Sequence, residues 1–140
     1  MWNRGWSIVL LMVVVLSVGC GPDTSHLSKP TATVTWPSLK ALNDPSVSMT
    51  VMMPAQMGDL KTCRKNAADQ KIADLVSAFE AEAIPPEFAS PARDAAKQKV
   101  VTAYKSVIEN AKTNGSDKDL KQALDDVKSG FGTLTNPDLK

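Results

Sequence analysis

Four methionines stand close together in this chain: Met49, Met52, Met53 and Met57. A thioether is a soft, neutral ligand that selects Cu(I) and binds it without losing a proton. Three or four of them on one short segment can wrap a single ion, and Cys63 and His26 would add donors if the chain folded back toward them. Methionine is also an adaptable apolar side chain that fills gaps in a thin core. The packing use is the expected one here, with Cu(I) binding as the alternative.

The remaining reactive groups are sparse. His26 is the only histidine, and it lies among Ser, Thr and Pro residues with no carboxylate beside it, as in a solvated linker. Asp125 and Asp126 are adjacent, so on a helix their side chains point in different directions and cannot share one proton. Tyr104 falls on an apolar stripe and is expected in the core with its hydroxyl at the rim. The chain contains no GxxxxGK phosphate loop, no CxxC and no CxxCH, which excludes the common signatures of nucleotide binding, thiol redox work and c-type haem. A Ser-His-Asp arrangement would depend on His26. These features predict a protein that is not an enzyme and carries no resident cofactor.

Charge narrows the partners. The formal net charge is +1, so nothing draws the chain globally to nucleic acid. Lys61, Arg64, Lys65, Lys97, Lys99 and Lys105 form a basic set that could meet lipid headgroups or an acidic protein. Acidic residues are interleaved with them, so the expectation is an ordinary solvated surface.

Three amphipathic patterns supply the scaffold, and they predict an all-α fold: a small antiparallel three-helix bundle over residues 57–134. In the first helix Leu60, Cys63, Ala67, Ala68, Ile72, Leu75, Val76, Phe79 and Ala83 recur at threes and fours up to Ile84-Pro85-Pro86. Cys63 is expected as a small buried residue, with an intermolecular disulfide as the alternative. The second helix opens at Ser90-Pro91, a cap followed by proline at the first helical position, and closes at Asn114-Gly115. Its buried face is Val100, Val101, Tyr104, Val107, Ile108 and Ala111. Ser116 with Asp119 opens the third, whose face is Leu120, Ala123, Leu124, Val127 and Phe131, with Gly130 and Gly132 fraying its end. The basic start of the first helix should face Glu109 or the acidic start of the third, and its acidic end should face Arg93, Lys97 and Lys99.

Before the bundle, residues 46–56 alternate at first as Val47, Met49, Val51 and Met53, which predicts a short extended Met-rich segment. Residues 20–45 carry Pro22, Pro30, Pro37 and Pro45 among polar residues and predict a flexible tether. Trp36 would either dock on the domain or sit near headgroups. Residues 135–140 are a tail. With few aromatics the bundle should be marginal, helped by a fourth layer from residues 47–56 or by self-association.

The first nineteen residues have a separate logic. Arg4 precedes an apolar run from Ile8 to Val18, too short to cross a ~30 Å hydrocarbon core. Ser17-Val18-Gly19 then place small residues directly before Cys20. This layout resembles the signal peptide of bacterial lipoproteins, although Ser17 stands where that family usually has Leu, Val or Ile. The resemblance implies that residues 1–19 are removed and that Cys20 carries a covalent lipid such as palmitate. It also implies an exported protein anchored in the cell envelope. Gly21 takes the place of the aspartate associated with inner-membrane retention, which favours the outer membrane in a cell with two. Together these readings predict a non-enzymatic, lipid-anchored envelope protein. Its bundle would bind another envelope component or further copies of itself, and the alternative is a Cu(I)-binding accessory protein.

Overall fold

The computed structural model describes residues 35–139. Among them are six α-helices and a 3-10 turn, and no strand: α1 (Pro37–Leu42), α2 (Pro45–Gln56), α3 (Leu60–Ala67), α4 (Gln70–Ala81), the turn Pro86–Phe88, α5 (Pro91–Thr113) and α6 (Asp117–Leu134). The all-α expectation holds, with six helices in place of three. Cys20, His26 and the signal region lie outside the described residues.

Side-chain caps set most of the helix starts. Asp44, Asp59, Asp69, Ser90 and Ser116 each accept from a backbone amide in the first turn of α2 to α6 respectively. These bonds satisfy donors that a helix start otherwise leaves without partners. Proline occupies the first position of α1, α2 and α5, where its fixed φ suits a helix and its missing amide costs nothing. Asn114 ends α5 in the left-handed conformation (φ 52°, ψ 45°), as the Asn-Gly pair predicted.

Three expectations need correction. Residues 46–56 are helical, not extended. Val47 and Val51 point inward one turn apart, while Met49 and Met53 point outward one turn apart. Both pairs also fit a period of two, and the Asp44 cap with Pro45 decides for the helix. The first helix of the expected bundle is two helices, because Asp69 caps a new start and accepts from Lys71 N. Finally, the end of the expected tether belongs to the domain. Trp36 and Leu42 are buried, and α1 packs on α4.

The core runs through all six helices. α5 and α6 form an antiparallel hairpin at its centre, α3 and α4 pack on α5, and α2 packs on α3. Gly130 is a point of close approach within the hairpin. A Cβ there would lie 2.4 Å from Val100 Cγ2 and 3.3 Å from the Ala96 carbonyl, so this glycine is a packing contact inside α6 and not a frayed end. Tyr104 stands edge-on to Phe131, with ring centroids 6.1 Å apart. Trp36 packs between Phe79 at 5.6 Å and Phe88 at 6.1 Å. No helix among the described residues is long and apolar enough to cross a membrane.

Candidate functional site

The methionines sit on α2 and just past its end, and the helix sorts them. Met52 is half-buried against the core, whereas Met49, Met53 and Met57 are 49%, 43% and 80% exposed. These three are the only large hydrophobic residues exposed among the described residues. They follow one another at intervals of four, so they form a single stripe along the helix. α2 contains no charged residue. A surface helix normally turns charged or polar side chains to water; this one turns thioethers there as well as Ser46, Thr50 and Gln56.

Beside the stripe a groove runs between α2 and α6. One recess of about 370 Å³ is lined by Asn43, Ser48, Met49, Met52, Met53, Gln56, Lys128 and Phe131. A second, of about 340 Å³, adjoins it through Met52, Gln56 and Lys128 and continues past Leu124 to Lys121 and Asp125. Leu124 and Phe131 are mostly buried and form the floor. Lys121, Asp125 and Lys128 stand along the rim and take part in no ion pair among the described residues. The contribution of α6 could not be anticipated from the methionine spacing, since it depends on how the two helices meet.

The other predicted groups are drawn elsewhere. Cys63 is fully buried in α3 with a free thiol, and burial pushes its pKa up, with a smaller opposing effect from Arg64. It therefore cannot join the exposed methionines as a ligand. Tyr104 is wholly buried, its hydroxyl finds no partner among the described residues, and burial pushes its pKa to about 12. Such a phenol stays protonated and is poorly placed for catalysis. Asp126 pairs with Lys99 at 3.2 Å while Asp125 faces the α2 groove, so the adjacent acids diverge as expected.

The basic set is not one surface. Arg64 reaches across to the α5–α6 turn, donating to the Gly115 carbonyl at 2.8 Å and to Asp117 Oδ1 at 2.6 Å. Lys105 pairs with Glu80 at 2.7 Å. Lys97 is buried, and its ammonium donates to the carbonyls of Glu80 and Glu82 at the end of α4 while lying over the Phe79 ring. A cation on those last carbonyls complements the negative end of the α4 dipole. Arg93 is buried too, donating to the Phe88 and Asn136 carbonyls and stacking on Phe88. Lys97 thus meets the acidic end of the first predicted helix as expected, but through carbonyls and not carboxylates, and the burial of both cations was not anticipated; both hold carbonyls that no helix satisfies.

Among the described residues no group of three His, Cys, Asp or Glu is arranged to hold a metal ion. What the surface offers is an uncharged apolar stripe beside an apolar groove with a mixed-charge rim, an arrangement suited to contact. The chain matches no protein-family model, no curated protein and no solved structure.

Proposed function

We propose that this chain is an exported lipoprotein, held in the cell envelope by lipid on Cys20, whose helical domain acts by binding a protein and not by catalysis. The address rests on Arg4, the short apolar run and Ser17-Val18-Gly19-Cys20. The mode of action rests on one observation: among the described residues the exposed large hydrophobic side chains are gathered on a single face, Met49, Met53 and Met57. Scattered exposed apolar residues need no explanation, but a stripe beside a groove marks a contact surface. Methionine suits such a surface because its unbranched chain adapts to what it meets. In a cell with two membranes the outer one is the proposed location.

Palmitate labelling of the full-length protein and of Cys20→Ser, followed by membrane fractionation, tests the anchor. Labelled, membrane-bound wild type and an unlabelled variant are expected. No label on either would remove the lipoprotein reading.

A second reading is Cu(I) binding by Met49, Met52, Met53 and Met57. Residues three and four apart on a helix have Cβ atoms about 5–6 Å apart, within reach of one shared ion. Titration with Cu(I) against a competing chelator is the test, and binding should vanish in Met52→Leu/Met53→Leu.

A further inference from the structure

We infer that the α2–α6 groove is where this chain binds a second copy of itself, the same face of each protomer meeting across a twofold axis. The inference rests on the reading of the α2 face as a contact surface and names its occupant.

Three observations choose a second copy over other occupants. First, α2 is uncharged along its whole length, so two copies can bring Met49 and Met53 together without burying any like charges. Second, the rim of the groove carries both signs. Asp125 and Lys128 lie one turn apart on α6, both border the groove, and neither has an ion partner among the described residues. A twofold makes contacts reciprocal: if Lys128 meets Asp125 of the second copy, then Asp125 meets Lys128 of the second copy. An unpaired acid and base on one rim satisfy that requirement on their own. Third, the full chain has a net charge of only +1, so copies approach one another without long-range repulsion.

The same rim argues against the alternatives. With Lys121 included it holds two bases and one acid, a single net charge that gives an acidic partner helix little to recognise. An anionic lipid surface would gain equally little, because Asp125 offsets one of the two lysines.

The experiment is crosslinking of the intact protein in cells. Met53→Cys places a thiol on the stripe, and Cys63 is buried and out of reach. A short bifunctional maleimide should give a homodimer with Met53→Cys and none with a cysteine at the exposed Thr113, the last residue of α5, which lines no part of the groove. Adding Lys128→Asp should lower the yield about fivefold or more, and adding Asp125→Lys as well should restore it. Circular dichroism of each variant checks that the helices persist. No homodimer from a folded Met53→Cys protein overturns the inference. Equal yield from Thr113, or a loss on charge reversal that the swap fails to restore, overturns it too. If the thiol at position 53 instead joins a different protein, self-association falls while the contact-surface reading stands. If it joins nothing, both fall, and palmitate labelling still decides the anchor separately.

Discussion

The carbonyl of Thr50 on α2 accepts its hydrogen bond from the side-chain amide of Asn66 on α3, at 2.8 Å. In an uninterrupted helix that carbonyl would be served by the amide of residue 54, but residue 54 is proline and has none. Asn66 replaces the missing donor, which is one reason α2 tolerates Pro54 in its last turn and one tie between α2 and α3. Asn66→Ala should cost about 0.5–1.5 kcal/mol in urea unfolding. In a Pro54→Ala background the helix supplies its own donor, so the same substitution should cost clearly less. Equal costs in the two backgrounds would mean that Asn66 is not compensating for the proline.

Gly130 and Gly132 lie in the same helix and should respond in opposite directions. A methyl at position 130 meets Val100 at 2.4 Å, whereas nothing lies within 4 Å of one at position 132. Gly130→Ala should destabilise by about 1–3 kcal/mol through overpacking of the α5–α6 contact. Gly132→Ala should stabilise by up to about 1 kcal/mol, because alanine is the better helix former. Thermal melts of the two variants side by side check both signs.

Arg64 fastens the turn between α5 and α6 from outside the hairpin. It donates to Gly115 O, Asp117 Oδ1 and Asn110 Oδ1, and Asn110 in turn donates to the Ser116 carbonyl at 3.0 Å. Arg64→Ala should cost about 2 kcal/mol. Arg64→Lys should recover less than half of that, because a single ammonium cannot span three acceptors as a guanidinium does. Hydrogen exchange at Gly115 and Asp119, whose amides donate to Asn110 O and Ser116 Oγ, should quicken in both variants before the rest of the domain is affected.

Much of this hairpin could be read from the amino acids alone. Ser90-Pro91, Asn114-Gly115 and Ser116 act locally, through bonds to residues a few positions away, so they are visible in one dimension. Features that depend on distant residues were not visible. Val47 and Val51 satisfy a period of two and a period of four alike, so alternation could not separate strand from helix. The apolar stripe continues in register across Ala68 and Asp69, so periodicity gave no sign of the break between α3 and α4; only the Asp69 cap carried it. Gly130 looked like an end signal because the neighbour that needs its missing side chain, Val100, is thirty positions away. The methionines drew notice by type, but which of them face water follows from the helix, and their groove exists only because α6 lies beside α2.

The capping aspartates make the first helices acid-sensitive. The hydroxyl and amide of Ser46 hold Asp44 below the ordinary carboxylate value of 3.8, and Thr62 does the same for Asp59. Because the folded protein binds these protons less readily than the unfolded chain, it is favoured while both carboxylates are ionised. Their contribution is complete above about 3.8 and is lost as the pH falls below it. Asn caps almost as well as Asp but does not titrate. Asp44→Asn/Asp59→Asn should therefore leave neutral stability nearly unchanged and flatten the acid limb of a stability–pH profile. An unchanged acid limb would assign the acid sensitivity to other carboxylates.

Trp36 determines where the domain begins. Its ring is 4% exposed and fills the space between Phe79 and Phe88. The Ser38 amide donates to Glu82 Oε2 at 2.9 Å, tying α1 to the end of α4. Leu42, fully buried, extends the same layer. A protein that starts at residue 46, the boundary suggested by proline content, would lose both buried side chains and open the aromatic cluster. Removing one large buried aromatic typically costs about 3–5 kcal/mol, a large part of the 5–15 kcal/mol that holds a small domain together. Starting at residue 33 should preserve the full unfolding midpoint, whereas starting at residue 46 should lower it sharply or abolish the transition. Trp36→Phe should fall between the two, keeping an aromatic ring but losing area. Trp36 is the only tryptophan after Cys20, so its fluorescence reports this joint directly. In the folded protein the emission should be blue-shifted, and it should move to the red together with the loss of helix. Red emission before unfolding would mean that α1 does not hold Trp36 against Phe79, and the domain would then begin at α2.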